Sequence, residues 1–254
     1  MTKTIWAIAR NTFRETIRDR ILYSLVAFAV VVIAASLLAG SVSLGQEVRV
    51  IQNFGLTAML VFLLIITVFI GTQLVYREIE RKTVYMLLSK PVSRDAFYLG
   101  KFVGLSLTIA AVTAIMGTAF IALVAFKTHN VAPIQVMAII MMMLEAWLLT
   151  AVGMLFSAFT APLSSAIYTL CLALIGHAST ALLAVALKGQ PAIKYVLEFI
   201  YYVFPNLEKF NLRNEVVFGA PIDWSFVGWG AGYAVVYTAA LLLLGVAIIR
   251  KYEV

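Results

Sequence analysis

The sequence predicts an all-α integral membrane protein with six transmembrane helices. Of its 254 residues, 63% are hydrophobic and 12% are charged, whereas an ordinary soluble domain is about 45–50% apolar and about 25% charged. Six apolar runs of about 20–26 residues follow one another, and about 20 such residues let a helix cross the hydrocarbon core. The alternating pattern of a membrane β-barrel is absent from these runs. The composition therefore excludes a soluble enzyme, a disordered protein and a disulfide-stabilised domain.

Residues 3–20, before the first apolar run, predict an amphipathic helix that lies in the membrane interface. Apolar side chains recur every four positions on one face, at Ile5, Ala9, Phe13 and Ile17. A second face carries the arginines at positions 10, 14 and 18. Such a helix places its apolar face at the acyl boundary and its arginines among the lipid headgroups. The alternative is a basic flank that only orients the first span.

The six predicted spans set the topology of one transmembrane domain, residues 1–254. They cover residues 21–40, 54–75, 102–126, 134–159, 165–187 and 224–249. Thirteen basic residues lie in the N-terminal stretch, the 76–101 loop and the C-terminal tail, and six lie in the other loops. By the positive-inside rule both termini and this loop are cytoplasmic, in a plasma (inner) membrane. The excess positive charge then indicates contact with membrane lipid rather than nucleic acid.

The loop between the second and third spans, residues 76–94, reads YREIERKTVYMLLSKPVSR and predicts a short helix followed by a new helix start. Glu78 lies four residues before Lys82, which is the favourable order for a helical ion pair. An apolar face follows at Val84, Leu87 and Leu88. Pro91 ends this helix, and Ser93 is placed to begin the next one with Asp95 in its first turn. A short amphipathic helix of this kind can dock into a partner's groove; the alternative is a solvated loop that reverses the chain.

The outer segment, residues 188–223, predicts a further helix that does not cross the membrane. Tyr195–Phe204 is apolar except for Glu198, but about ten residues cover only ~15 Å of helix. Pro205 then ends it. A re-entrant or surface-lying helix fits this length, and its tyrosines suit the interface.

Two polar residues lie inside predicted spans, Glu145 in the fourth and His177 in the fifth. An intramembrane carboxylate costs at least about 2.5 kcal/mol on insertion scales, so Glu145 is expected to face protein or a cavity. Two interpretations stay open for it: a group on the substrate or proton path, or a hydrogen bond to a neighbouring helix. For His177 we favour a hydrogen bond at a close helix contact over a ligand or relay role.

The remaining residue types predict neither a metal site nor a catalytic site. The consecutive Met141, Met142 and Met143 point in three directions on a helix, so they cannot converge on one soft metal ion. Cys171 and the two histidines have no metal-ligand spacing. The intramembrane serines are not in a G-x-S-x-G motif, so hydrolysis is not expected.

The 76–94 loop closely resembles the cytoplasmic signature of ABC exporter permeases of the type-2 class, which has roughly the form R-E-x-E-x-G/K-T-x-x-x-L-L-x-x-P-x-S-R. The positions of this chain that match it are Arg77, Glu78, Glu80, Thr83, Leu87, Leu88, Pro91, Ser93 and Arg94, and Lys82 stands where many relatives have glycine. The outer stretch P-N-L-E-K-F-N at Pro205–Asn211 also resembles the branch of copper-enzyme-maturation and nitrous-oxide-reductase accessory permeases.

The resemblance implies a permease subunit that forms a homodimer and docks two copies of a separate ABC ATPase through the loop. The expected coupling residues are Glu78, Glu80, Arg81, Lys82, Thr83, Val84, Leu87, Leu88, Pro91, Ser93 and Arg94. The sequence has no G-x-x-x-x-G-K-[ST] motif, so ATP and Mg²⁺ are expected in the partner and no cofactor in this chain.

The function expected on this basis is ATP-driven export of a substrate. Two alternatives stay open. One is an ATP-driven mechanotransmitter that acts on an extracytoplasmic partner protein without moving a solute. The other is an ATP-independent channel or carrier.

Overall fold

The computed structural model describes residues 2–43, 45–80, 93–186 and 191–251, and the elements in these ranges are helices. In chain order they are α1 (Thr2–Ile17), α2 (Arg20–Ser41), α3 (Glu47–Glu80), α4 (Arg94–Thr128), α5 (Pro133–Ser157), α6 (Pro162–Ala186), α7 (Pro191–Val203), a 3-10 helix (Leu207–Phe210), α8 (Arg213–Phe218) and α9 (Trp224–Lys251). Six of them, α2 to α6 and α9, are long and apolar enough to cross a membrane. The predicted all-α membrane fold with six spans is thus confirmed.

The second and third spans are longer than their apolar runs. Helix α3 has 34 residues and α4 has 35, which corresponds to about 51 and 52 Å at 1.5 Å per residue. The hydrocarbon core is only about 30 Å thick. Both helices therefore continue unbroken beyond the part that lipid surrounds, because polar residues can extend a helix wherever water or protein satisfies their side chains.

Helix α5 forms the centre of the bundle. In its most apolar stretch 67% of the residues are buried, against 11% for α9 and 22% for α2 and α6. It packs against α3, α4, α6 and α9. Small residues bring it close to α3, because a Cβ atom placed on Gly153 would lie 3.5 Å from the backbone of Gly71. The indole of Trp147 ties it to α4 by donating to the carbonyl of Ser106 at 2.9 Å.

Helix α1 packs along the N-terminal part of α4. Its fully buried residues are Ala9, Thr12 and Thr16, whereas Ile5 and Ile17 of the predicted apolar face are half-buried. The buried face therefore runs through small residues, since these let the two backbones approach closely. The arginines at positions 10, 14 and 18 are exposed, as the helical pattern predicts. The interfacial position of α1 stays a prediction.

The outer segment contains helix α7, which ends before Pro205 as predicted. The chain then turns back into the bundle instead of staying at its surface. Four apolar side chains of this returning part are buried: Leu207, Phe210, Leu212 and Val216. The outer segment thus consists of an exposed helix, α7, and of a following part whose apolar side chains belong to the core.

Candidate functional site

The predicted coupling loop is described at its two ends. Helix α3 continues through Glu78 to Glu80, so the backbone on the first side of the loop is helical, as predicted. Seven of the predicted coupling residues lie outside the described residues: Arg81, Lys82, Thr83, Val84, Leu87, Leu88 and Pro91. Ser93 and Arg94 are described on the other side. The docking role of all these residues stays a prediction.

Ser93 begins α4 in the predicted way. Its side-chain oxygen accepts a hydrogen bond from the backbone N–H of Ala96 at 3.3 Å, and its backbone is extended, as an N-cap residue requires. Asp95 lies in the first turn, where a negative charge favours the helix dipole. The loop thus passes directly into a well-capped helix.

The N-terminal end of α4 is joined to the C-terminal end of α9. The carboxylate of Asp95 forms an ion pair with Arg250. The guanidinium of Arg94 donates to the backbone carbonyl of Ile249 at 3.3 Å. Further along, the buried ring of Tyr98 occupies the space that a side chain at Gly245 would need. The third span and the sixth are therefore linked where the coupling loop ends.

The same end of α4 is joined to α1. Gly100 and Gly104 lie one turn apart and face this helix: a Cβ on Gly100 would lie 2.8 Å from Ile8, and a Cβ on Gly104 would lie 2.6 Å from the carbonyl oxygen of Ala9. Lys101, between them, is 2% exposed and its ammonium lies 4.0 Å from the carboxylate of Glu15.

The sequence pattern did not reveal these contacts, since Lys101 is only one of the thirteen basic residues from which the topology is predicted. The signal that could have revealed them is the G-x-x-x-G spacing at 100–104, which marks close helix packing in membranes.

The structure brings the two intramembrane polar residues together. His177 Nε2 of α6 lies 2.9 Å from Glu145 Oε1 of α5, and the side chains are 24% and 4% exposed. The group that faces Glu145 from the neighbouring helix is thus an imidazole. The two residues are 32 positions apart, and only the packing of α5 on α6 makes them a pair.

The returning part of the outer segment lies beside this pair. Glu208 and Arg213 are close enough to His177 to act on it electrostatically. Gly176 makes room for the segment, because a Cβ there would lie 2.6 Å from the side chain of Leu207. Two further hydrogen bonds hold the segment in place: Arg213 donates to Thr57 of α3 at 2.9 Å, and the hydroxyl of Tyr233 in α9 accepts from the backbone N–H of Asn206 at 3.0 Å.

No group of three His, Cys, Asp or Glu side chains in the described ranges is placed to hold a metal ion. Met141 and Met142 are buried in the core, where their flexible side chains fill space. Ser157 and Ser165 both donate to the carbonyl oxygen of Gly153, at 2.7 and 3.1 Å, so they serve helix packing.

The candidate site therefore has two parts, the α4 end with its links to α1 and α9, and the Glu145–His177 pair with the outer segment. A family model described as "ABC-2 family transporter protein" matches residues 6–248. No curated protein matches the chain.

Proposed function

The chain belongs to the ABC-2 transporter family and is a permease subunit of an ABC transporter, and we propose that it couples ATP hydrolysis in a partner to substrate export. Two copies would form the membrane part, with both termini in the cytoplasm of a plasma membrane. Two ATPase subunits would bind beneath them. ATP and Mg²⁺ belong to these subunits.

One observation carries the proposal: the coupling loop joins two helices that are each continuous across the whole membrane and beyond it. A continuous helix transmits displacement without a hinge. A 10° tilt of a helix about 51 Å long moves its far end by about 9 Å, and rigid-body rotations of about this size occur in switching proteins. The residues between Glu80 and Ser93 would receive the ATPase movement and pass it to α3 and α4.

The links at the α4 end determine which helices follow that movement. Asp95 forms an ion pair with Arg250 of α9, and α1 packs closely against Gly100 and Gly104. A displacement of α4 would therefore act directly on α1 and on the C-terminal end of α9. Helix α5 packs against α3, α4 and α9, so its contacts with these moving helices would shift during the cycle.

The Glu145–His177 pair would hold α5 and α6 together below the outer segment. A buried polar group that loses its partner costs about 1–3 kcal/mol, so the pair resists separation of these helices. The alternative, a group on a substrate or proton path, is tested by Glu145→Gln. Unchanged transport and unchanged stimulation of the ATPase support the structural role, and loss of transport in a folded protein supports the path.

The decisive experiment is co-purification of the ATPase with a charge-reversed coupling loop. E80K/R81E is expected to lose the ATPase, because charges at a docking surface determine register and partner choice. The matched control is K194E/E198K, which reverses the ion pair between Lys194 and Glu198 on α7 and is expected to keep the ATPase. Both variants are checked by size-exclusion chromatography. Retention of the ATPase by folded E80K/R81E contradicts the proposal.

A second candidate is mechanotransmission to an extracytoplasmic partner, and the exposed face of α7 favours it. Tyr195, Phe199 and Tyr202 are 71%, 65% and 79% exposed and lie along one side of that helix. Such a face suits either the lipid interface or a protein partner. Substituting all three by serine abolishes partner action but not ATPase binding if this candidate is correct. We propose separately, from the resemblance of Pro205–Asn211, that the chain belongs to the accessory-permease branch.

A further inference from the structure

The cleft between α1 and α4 is lined by five side chains for which the described protein has no hydrogen bond or ion pair. It is open, has a volume of about 500 Å³ and is lined by Trp6, Arg10, Phe13, Arg14 and Leu107. We propose that it binds one anionic phospholipid, with the phosphate between the two arginines and an acyl chain along Phe13 and Leu107. The proposal requires α1 to lie at the membrane surface, and it does not depend on ATP coupling.

The two arginines form the polar part of the cleft. Arg10 and Arg14 are four residues apart, so their side chains lie on one helix face about 6 Å apart at the Cβ atoms. Both are exposed. Among the residues that the structure describes, neither guanidinium has an ion-pair partner, whereas Lys101 lies beside Glu15 and Arg250 beside Asp95. Guanidinium groups donate two parallel hydrogen bonds to phosphate oxygens, so this pair of arginines suits one phosphate.

The other three side chains form the apolar part of the cleft. Leu107 lies 13 residues beyond the start of α4, which is about 20 Å along the helix axis. Since α4 exceeds the hydrocarbon thickness by about 20 Å in all, Leu107 is placed at or inside the hydrocarbon. Trp6 is 59% exposed, and indoles favour the headgroup region.

The cleft therefore offers two cationic groups beside an apolar surface, which matches the phosphate and the acyl chain of one lipid. A soluble phosphate would use only the arginines. A zwitterionic lipid would bring its own cation close to them. An anionic phospholipid is the ligand that matches both parts.

The test measures binding of phosphatidylglycerol to the purified, delipidated full chain by native mass spectrometry. The variant expected to lose binding is R10Q/R14Q. Its matched control is K3Q/R18Q, which also removes two exposed charges but leaves the cleft lining intact. Replacing a charged hydrogen-bond donor by a neutral amide costs about 1 kcal/mol for each arginine, so R10Q/R14Q should bind about thirty-fold more weakly. K3Q/R18Q should bind as wild type does.

Equal losses in R10Q/R14Q and K3Q/R18Q overturn the proposal, because they indicate diffuse attraction rather than a site. Two further arms test the chemistry. Soluble sn-glycerol 3-phosphate should not compete, and competition at equal concentration shows that the cleft binds a free phosphate instead. Doxyl-labelled phosphatidylglycerol should quench the fluorescence of Trp6, measured as the difference from W6F. Absence of that quenching in a protein that retains the lipid places the lipid elsewhere.

Discussion

The contact of α1 with α4 makes an unusual prediction for two glycine-to-alanine substitutions, which should change stability in opposite directions. Gly104 faces α1 so closely that a methyl group would lie 2.6 Å from both the carbonyl oxygen of Ala9 and the Cβ atom of Thr12. Gly232, in the sixth span, has open space where its methyl group would be. Both positions are helical, so each gains about 0.5–1 kcal/mol when alanine replaces glycine.

At Gly104 the steric cost of the added methyl group is larger than this gain in stability. An ordinary van der Waals contact is about 3.5–4.0 Å, so α1 must move away by about 1 Å. The carbonyl oxygen belongs to the backbone of α1 and cannot rotate aside. Overpacking of this kind costs about 1–3 kcal/mol. From the middle of both ranges, the net effect of G104A is a loss of about 1 kcal/mol, whereas G232A is neutral or gains up to about 1 kcal/mol.

The assay is thermal unfolding of the two variants and the wild type in one detergent and one lipid composition. G104A should unfold at a lower temperature than wild type, and G232A at the same or a higher temperature. In the complex with the ATPase, G104A should also reduce transport, because α1 no longer moves with α4. If G104A is as stable as G232A, then α1 does not pack on α4 at this glycine, and the proposed action of α4 on α1 is contradicted.

Three further predictions concern the other contacts. H177L should lower the unfolding temperature by leaving the Glu145 carboxyl group buried without its partner, at a cost of about 1–3 kcal/mol, and E145L/H177L should recover part of that loss; a double variant that is less stable than H177L contradicts the pairing. S93A should destabilise α4 by about 1 kcal/mol through loss of the N-cap hydrogen bond, and S93T should not; equal unfolding temperatures of S93A and wild type would show that the cap adds nothing. D95R and R250D should each reduce transport, and D95R/R250D should restore part of it by re-forming the ion pair in reverse, since both reversed charges then oppose the helix dipoles. A double variant that is no better than the single variants would show that the pair does not help to join α4 to α9.

The fold was predictable because the lipid bilayer restricts the backbone conformations that are stable inside it. Backbone polar groups inside a membrane must bond within their own helix, so six apolar runs of sufficient length lead to six spans. The ends of the spans were less predictable. The apolar runs at 54–75 and 102–126 stop where charges begin, but α3 and α4 continue, because a helix needs backbone hydrogen bonds and not apolar side chains.

The candidate site was predictable only where its residues are neighbours in the chain. Ser93 and Asp95 follow Pro91 in the order that begins a helix, and α4 begins there. Glu145 was recognisable as an unusual residue from its span alone. Its partner was not, because an imidazole 32 residues away becomes a neighbour only after two helices pack.

The sequence alone determined the class of the molecule, the number of its spans, the capped start of α4 and the motif that points to an ATPase partner. These features depend on local composition and on short spacings, which the chain carries before it folds. Only the tertiary structure decided that α1 packs on two glycines of α4, that an ion pair joins the third span to the sixth, and that a buried carboxyl group and a partly buried imidazole share one site. Each of these depends on which faces of separate helices come together, and that choice follows from shape and packing across the whole bundle.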